Sequence, residues 1–368
     1  MAEKTGPALG QRRINSLEGL RAIGWIVVFI VHFKAALAPG TVWFYERNAF
    51  LNMPFMGTGN VMVRMVLTLS GIVLSLKYFQ RECYDRAAED VVKRYFRLIP
   101  PIFVVEVAVC AMMYLGGLRH LEAAAVFGNA DFLGMFNNFQ PDVVECLKEA
   151  LYGAFLYGRN LYVGPLWMMM YEFLGSIMVI AAATVFRRSR ARFLFYIVFL
   201  AVFSGYYNYF VIGMLVSDVY VNSPVPGFLR RQRWATLLCV IAGYCLMALF
   251  FTMDDAQKLN RALFGAGLML LMTGVMCSGV AEKVLGSRPM VFLGSISFSA
   301  YLIHWPLIES LSCAAAIALF NRGQWSGNML LAVMLMTFAV TILLSFASKK
   351  LIEPLGNKLY GALRRWII

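Results

Sequence analysis

Four segments of this chain place ionisable side chains in or beside long apolar runs, where such groups are expensive and by default mark function. In SLEGLRAIGWIVVFIVHF, Arg21 and His32 are eleven residues apart. At about 100° per residue that is three turns plus about 20°, so a helix puts both on one face, about 16 Å apart along its axis. Trp25 and Val28 fall on the same stripe. Such a face can hold an anion at its mouth and a general base further in. The spacing equally allows Arg21 to pair with Glu18 one turn back, while His32 satisfies a neighbour's carbonyl.

In VVKRYFRLIPP, Arg94 and Arg97 are one helical turn apart ahead of Pro100-Pro101. They read as a phosphate-binding patch or as the cationic anchor common at a cytoplasmic membrane edge. In GPLWMMMYEFLGS, Glu172 falls well inside an apolar run. A partly desolvated carboxyl suits general acid or base work; an ion pair with Arg64 or another inward cation is the alternative. In FLGSISFSAYLIHWPL, His304 stands two residues before Pro306. It is either catalytic or a ring that satisfies backbone freed by the proline. Ser70 in LTLSG reads as a helix-packing residue. Glu106, Asp218 and Glu309 carry no assigned role.

The elements that must hold these residues follow from composition. Of 368 residues 60% are hydrophobic and 14% charged, against about 45–50% and about 25% in soluble domains. A soluble enzyme and an extended disordered chain are both excluded. The net charge of +13 would suggest nucleic acid in a soluble protein, but in a membrane protein it reports sidedness. No nucleic-acid partner is expected. His32, His120 and His304 are far apart and none of the seven cysteines forms a CxxC pair, so neither a metal site nor a disulfide framework is expected. The polar N-terminal stretch makes the first apolar run a retained span rather than a cleaved signal.

A bilayer crossing needs about 20 apolar residues. Ten runs qualify as candidates, at roughly 18–38, 56–78, 98–117, 163–186, 193–205, 208–221, 234–252, 261–280, 290–320 and 328–348. With the N-terminus inside, inner segments carry 23 Lys+Arg and outer segments 8. That bias predicts an all-α transmembrane bundle of about ten spans, N-in and C-in. The stretch 193–221 is read as two short helices joined near Tyr206-Tyr207-Asn208, because one helix would put RRSRAR and RRQR on opposite faces. The run 290–320 is long enough to include a connector. The outer loop 118–162 is too short for an independent catalytic domain. One membrane domain over 1–368 is therefore expected, with spans from about 18 to 348 and no appended soluble domain.

Together these segments resemble acyltransferase family three, integral-membrane enzymes that O-acylate cell-surface glycans and other acceptors. Its Arg-x10-His hallmark is matched by Arg21 and His32. A second-span pattern ending in Leu-Ser-Gly is similar to VRMVLTLSGIVL, with Arg64 and Ser70-Gly71. The arginine-rich approach to a proline resembles Arg94, Arg97 and Pro100; Leu166-Trp167 with Glu172 resembles a third pattern. Tyr301, Leu302, His304 and Pro306 match a late Tyr-Leu-x-His-x-Pro pattern. Two departures, Val66-Leu67 in place of paired aromatics and a methionine run after Trp167, bear on the acceptor pocket more than on donor chemistry.

The resemblance implies an acyl-coenzyme A donor, most often acetyl-CoA, entering from the cytoplasm with Arg21, Arg94 and Arg97 on its phosphates. It implies His32 as general base on an acceptor hydroxyl, or as a transient acyl carrier. Glu172 would orient His32 or protonate the leaving thiolate. Arg64 would stabilise the oxyanion, with Trp167 and His304 on the substrate side. The acceptor would be a cell-surface polysaccharide or lipid-linked glycan, and the location a bacterial cytoplasmic membrane. The rival from another class is a transporter or flippase for an anionic solute or lipid, which also lines its path with buried charge. Transporters often show paired repeats with matching broken helices, and no repeat is evident. A non-catalytic scaffold would not need buried ionisable residues at this spacing.

Overall fold

A computed structural model describes residues 14–38, 59–80, 86–186, 189–250 and 258–367, and every regular element among them is helical. Lipid offers backbone groups no partner, so apolar runs of this length fold as helices that bond internally. In chain order these are α1 (Asn15–Leu37), α2 (Gly59–Gln80), α3 (Ala87–Tyr114), α4 (Trp167–Phe186), α5 (Ala191–Val202) and α6 (Tyr207–Asn222). They continue with α7 (Arg233–Phe250), α8 (Lys258–Cys277), α9 (Arg288–Ser295), α10 (Ser297–Leu307), α11 (Gly327–Leu351) and α12 (Glu353–Ile367). Short helical pieces fill the 120–156 stretch between α3 and α4. Eight helical stretches among the described residues are long and apolar enough to cross a membrane. The chain is a polytopic helical bundle.

Of the charges behind the sidedness count, Lys4, Arg12, Arg13, Arg47, Arg81, Arg187 and Arg188 lie outside the described residues. The short pair separates where the charge clusters required: α5 has 12 residues and α6 has 16. Between them Gly205 takes φ 107°, a left-handed value open to glycine. Both helices are too short for the eight.

Two elements differ from the sequence expectation. First, α3 begins at Ala87, not near 98, and runs straight through Pro100-Pro101. Those prolines leave the carbonyls of Phe96 and Arg97 without their usual intrahelical donors. Second, α12 follows the last apolar run and packs on that part of α3. Gly356 lies so close that a Cβ on it would sit 2.2 Å from the Phe96 carbonyl oxygen. Glu89 of α3 accepts from Tyr360 Oη at 2.9 Å and pairs with Lys93 at 2.8 Å. The run 290–320, long enough to include a connector, does break, at Ile296, and a π-helical segment, Ile308–Ser312, begins two residues after Pro306. A missing proline donor is a usual cause of such a distortion.

Glycine sets the close packing of α2 on α6. A Cβ on Gly71 of α2 would lie 2.3 Å from the Phe210 carbonyl, and one on Gly213 of α6 would lie 2.2 Å from that of Thr68. Ser217 Oγ adds a 2.9 Å hydrogen bond to the Ile72 carbonyl. Inside lipid, where the hydrophobic drive between helices is absent, this backbone approach supplies the packing. Gly213→Leu should therefore cost about 1–3 kcal/mol or more, read as a lower midpoint of thermal unfolding in detergent. An unchanged midpoint would show that the contact carries no weight.

Two contacts orient the bundle. The Asn15 and Ser16 amides at the start of α1 donate to the Glu282 carboxylate at 3.3 and 3.1 Å, satisfying a helix N-terminus. This ties the end of the chain just past α8 to the start of α1. Gly59 sits against Val31 and Gly24 against Val66, so α2 runs antiparallel to α1. Arg21 near the start of α1 and Lys349 near the end of α11 line one cavity. Both lie at one end of the bundle.

Candidate active site

At the α1 N-terminal end a cavity of about 640 Å³ gathers the segments singled out above. Arg21, Trp25 and Val28 contribute from α1, and Arg94 and Arg97 from α3. The α1 residues are four and three apart, so the cavity follows a single helix stripe. His32 is the next position on that stripe, about 6 Å beyond Val28 along the axis. Arg21 Nη1 does pair with Glu18 at 3.3 Å, as the plainer reading allowed. That contact engages one nitrogen of a guanidinium with five N–H donors. Lys77 and Lys349 also line the cavity. Its five cationic side chains face three acidic ones, Glu18, Glu172 and Glu353, which leaves an excess of positive charge.

Beyond the stripe two histidines meet. His32 Nδ1 lies 2.8 Å from His304 Nε2, and the rings stack at 5.1 Å with 7° between their planes. His304 Nδ1 lies 3.1 Å from the Ala300 carbonyl oxygen, which only accepts. His304 Nδ1 therefore carries the proton and, with both rings neutral, its Nε2 accepts. The proton in the shared contact then belongs to His32 Nδ1. His32 Nε2 is left with a lone pair. The edge of Trp305 at 5.2 Å frames His32, and Phe29 and Tyr301 frame His304. His304 is 1% exposed and His32 half-buried.

Glu172 takes the alternative allowed by its sequence position, an ion pair with an inward cation, and that cation is Arg94. Its Oε1 also accepts from Ser70 Oγ at 2.9 Å. Neither partner is His32, so the orientation of that ring falls to His304. An ionised carboxylate in an ion pair is also a poor proton donor. Arg64 is not its partner. The Arg64 guanidinium lies over the Phe264 and Tyr209 rings, 5.0 and 5.7 Å from their centroids, and lines a second cavity. That position gives no support to an oxyanion role beside His32. Trp167 opens α4 and packs on Tyr206 at 5.2 Å and Tyr171 at 6.0 Å.

The remaining acids separate cleanly. Asp218 pairs with Arg192 at 2.7 Å and accepts from Tyr196 Oη at 3.2 Å, a structural arrangement. Glu309 accepts from Asn137 at 2.9 Å. Both Glu106 oxygens are buried without a hydrogen-bond partner, as is Glu149 Oε2. Burial pushes the Glu149 carboxyl above its ordinary range.

Sequence reasoning missed four contributors. Lys77 and Lys349 counted only as topological charge, although both reach the cavity. Ser70 was read as packing, yet it bonds Glu172. Tyr301 lines the cavity, and its hydroxyl donates to the Pro165 carbonyl at 2.6 Å, joining α10 to the entry of α4. Ser70 and Tyr301 had a signal, their places in the Leu-Ser-Gly and Tyr-Leu-x-His-x-Pro patterns; the two lysines had none.

Compared with known proteins, residues 14–350 match the family model described as an acyltransferase domain. No curated protein and no solved structure matches the chain.

Proposed function

The chain belongs to acyltransferase family three, and from that membership we propose the reaction in detail. It moves an acyl group, acetyl in the simplest case, from cytoplasmic acyl-CoA to a hydroxyl of a cell-surface polysaccharide or lipid-linked glycan. The observation that carries this reading is the positively charged cavity whose α1 wall leads to an imidazole with a free nitrogen. The end holding Arg21, Arg94 and Arg97 faces the cytoplasm of a bacterial cell, in keeping with the bias of Lys and Arg.

Coenzyme A phosphates meet the planar forks of the three arginines, with Lys77 and Lys349 adding charge at the same mouth. The pantetheine arm lies along Trp25 and Val28 and brings the thioester toward His32. His32 Nε2 takes the proton of the acceptor hydroxyl as its oxygen attacks the thioester carbonyl carbon. Collapse of the tetrahedral adduct breaks the C–S bond, and the imidazolium returns the proton to the thiolate. In the stepwise variant His32 Nε2 attacks the thioester carbon first and expels the CoA thiolate; the acceptor hydroxyl then displaces the imidazole from the acyl carbon, its proton passing to the thiolate. In either course His304 holds the tautomer, Glu172 and Ser70 hold Arg94, and Trp167 belongs to the acceptor side.

Arg21→Gln tests the donor end. A hydrogen bond to a charged group is worth roughly 1.5–3 kcal/mol, so KM for acetyl-CoA should rise roughly ten- to hundredfold with kcat little changed. The assay is acetyl-CoA titration of the purified protein, reading CoA release. Unchanged donor affinity would remove Arg21 from the donor site.

A further inference from the structure

The chemistry above uses the free nitrogen of His32 and the tautomer that His304 fixes, and leaves two neighbouring side chains without a part. Trp305 is buried and meets His32 edge to face, the ring centroids 5.2 Å apart and the planes at 80°. Glu309, in the π-helical segment one turn further on, is 1% exposed. Its carboxyl engages an amide, that of Asn137, rather than a cation. An acid held so deep in a membrane bundle is costly and by default marks function.

The His32–His304 hydrogen bond selects a nitrogen but leaves the His32 ring free to rock about that one contact. Trp305, set nearly at right angles to the ring, removes the rocking. Trp305 is itself held from behind by Phe136, its ring at 4.8 Å and 73°, in the stretch between α3 and α4. That stretch is fastened at Glu309. Asn137 Nδ2 donates to Glu309 Oε2 at 2.9 Å, and the Arg119 amide donates to the Glu309 carbonyl at 2.9 Å. His120 Nε2 donates to the Phe136 carbonyl at 2.9 Å, fixing the same turn from its other side. Asn137 takes φ 49°, a left-handed value rare outside glycine, and its bond to Glu309 holds it there.

We infer that Glu309 is a positioning residue for acyl transfer. Its carboxyl clamps the Phe136–Asn137 turn, the turn presses Phe136 against Trp305, and Trp305 sets the plane of the His32 ring. The inference rests on the acyl-transfer reading, because the plane of that ring matters only to a transfer at His32. Without the clamp, His32 keeps its tautomer but tilts away from the line of attack. Misalignment of this kind slows the chemical step. It spares donor binding, whose arginines line the cavity at the other end of the α1 stripe.

The experiment is acetyl-CoA titration of the full-length protein in detergent, reading CoA release, with a melting midpoint for every preparation. Glu309→Leu should lower kcat roughly ten- to hundredfold and leave KM for acetyl-CoA unchanged. Glu309→Gln keeps an oxygen that accepts from Asn137 and should restore most of the rate. Asn137→Gly breaks the clamp from its other side; glycine tolerates the left-handed φ, so only the amide is lost. It should show the same fall in kcat at the parental melting midpoint, and it decides the matter if Glu309→Leu fails to fold. Phe136→Leu completes a double-mutant cycle: if Glu309 acts through Phe136, Glu309→Leu/Phe136→Leu loses little more than the larger single loss. Losses that multiply overturn the inference, as do parental kcat in Asn137→Gly, no rescue by Glu309→Gln, or an effect confined to KM. CoA release by the parent that does not depend on His32 overturns the acyl-transfer reading itself. His32-dependent release with unaffected Glu309 and Asn137 variants overturns this inference alone.

Discussion

His32→Ala is expected to lower acyl transfer by roughly 10²–10⁴-fold, the usual contribution of a positioned general base. Donor affinity should barely move, because Arg21, Arg94 and Arg97 remain at the far end of the cavity. The measurement is steady-state turnover with acetyl-CoA alongside direct acetyl-CoA binding to the same preparation. Near-normal turnover by a protein that still binds donor would sink the proposed role. The neighbouring ring supplies a finer readout. His304→Leu removes the acceptor for His32 Nδ1–H, leaving the ring free to take either tautomer. His304→Gln keeps an oxygen that can accept, and should recover part of the loss. Equal rates in the two His304 variants would show that tautomer control is not what His304 does.

The second large effect is on stability. Arg94 and Glu172 form an ion pair with side chains 15% and 11% exposed, so each is the other's main compensation. Arg94→Ala leaves the carboxylate with only Ser70, and breaking one side of a buried pair costs about 3–5 kcal/mol. Replacing both partners is different, because no charge is stranded: Arg94→Met/Glu172→Leu should unfold near the parental midpoint. That double variant separates folding from function. It should be folded yet bind acetyl-CoA more weakly, since one donor arginine is gone. Thermal unfolding in detergent and donor titration measure the two properties. A single variant as stable as the parent would count against the buried-pair account, and parental donor affinity in the double variant would count against Arg94 as a ligand.

Which features were legible depended on their range along the chain. The Arg21–Trp25–Val28–His32 stripe is a property of one helix, and helical periodicity placed it without tertiary information. The break between α5 and α6 was legible because charge cannot be buried cheaply, so flanking arginines constrain the path. The partner of Glu172 was not. Arg64 and Arg94 were both available to it, and the choice depends on how α2, α3 and α4 rotate against one another. His32 and His304 are 272 residues apart, and their contact depends on the register of α10 against α1. Hydropathy missed α12 because an amphipathic helix averages its apolar face with its polar one. It also started α3 late, since Arg94 and Arg97 interrupt the apolar count while the helix continues beneath them.

The close approach of Gly356 to Phe96 bears on where the working unit ends. Sequence kinship stops at residue 350, but α12 lies beyond it, against the α3 turn that precedes Arg97. Glu353, the first residue of α12, lines the same cavity as the arginines. Chimeras spliced at residue 350 would therefore exchange a piece of this cavity's wall along with an apparent tail, and so would any fusion that replaces the chain from residue 351. Portability of the catalytic unit requires that α3 and α12 be inherited together.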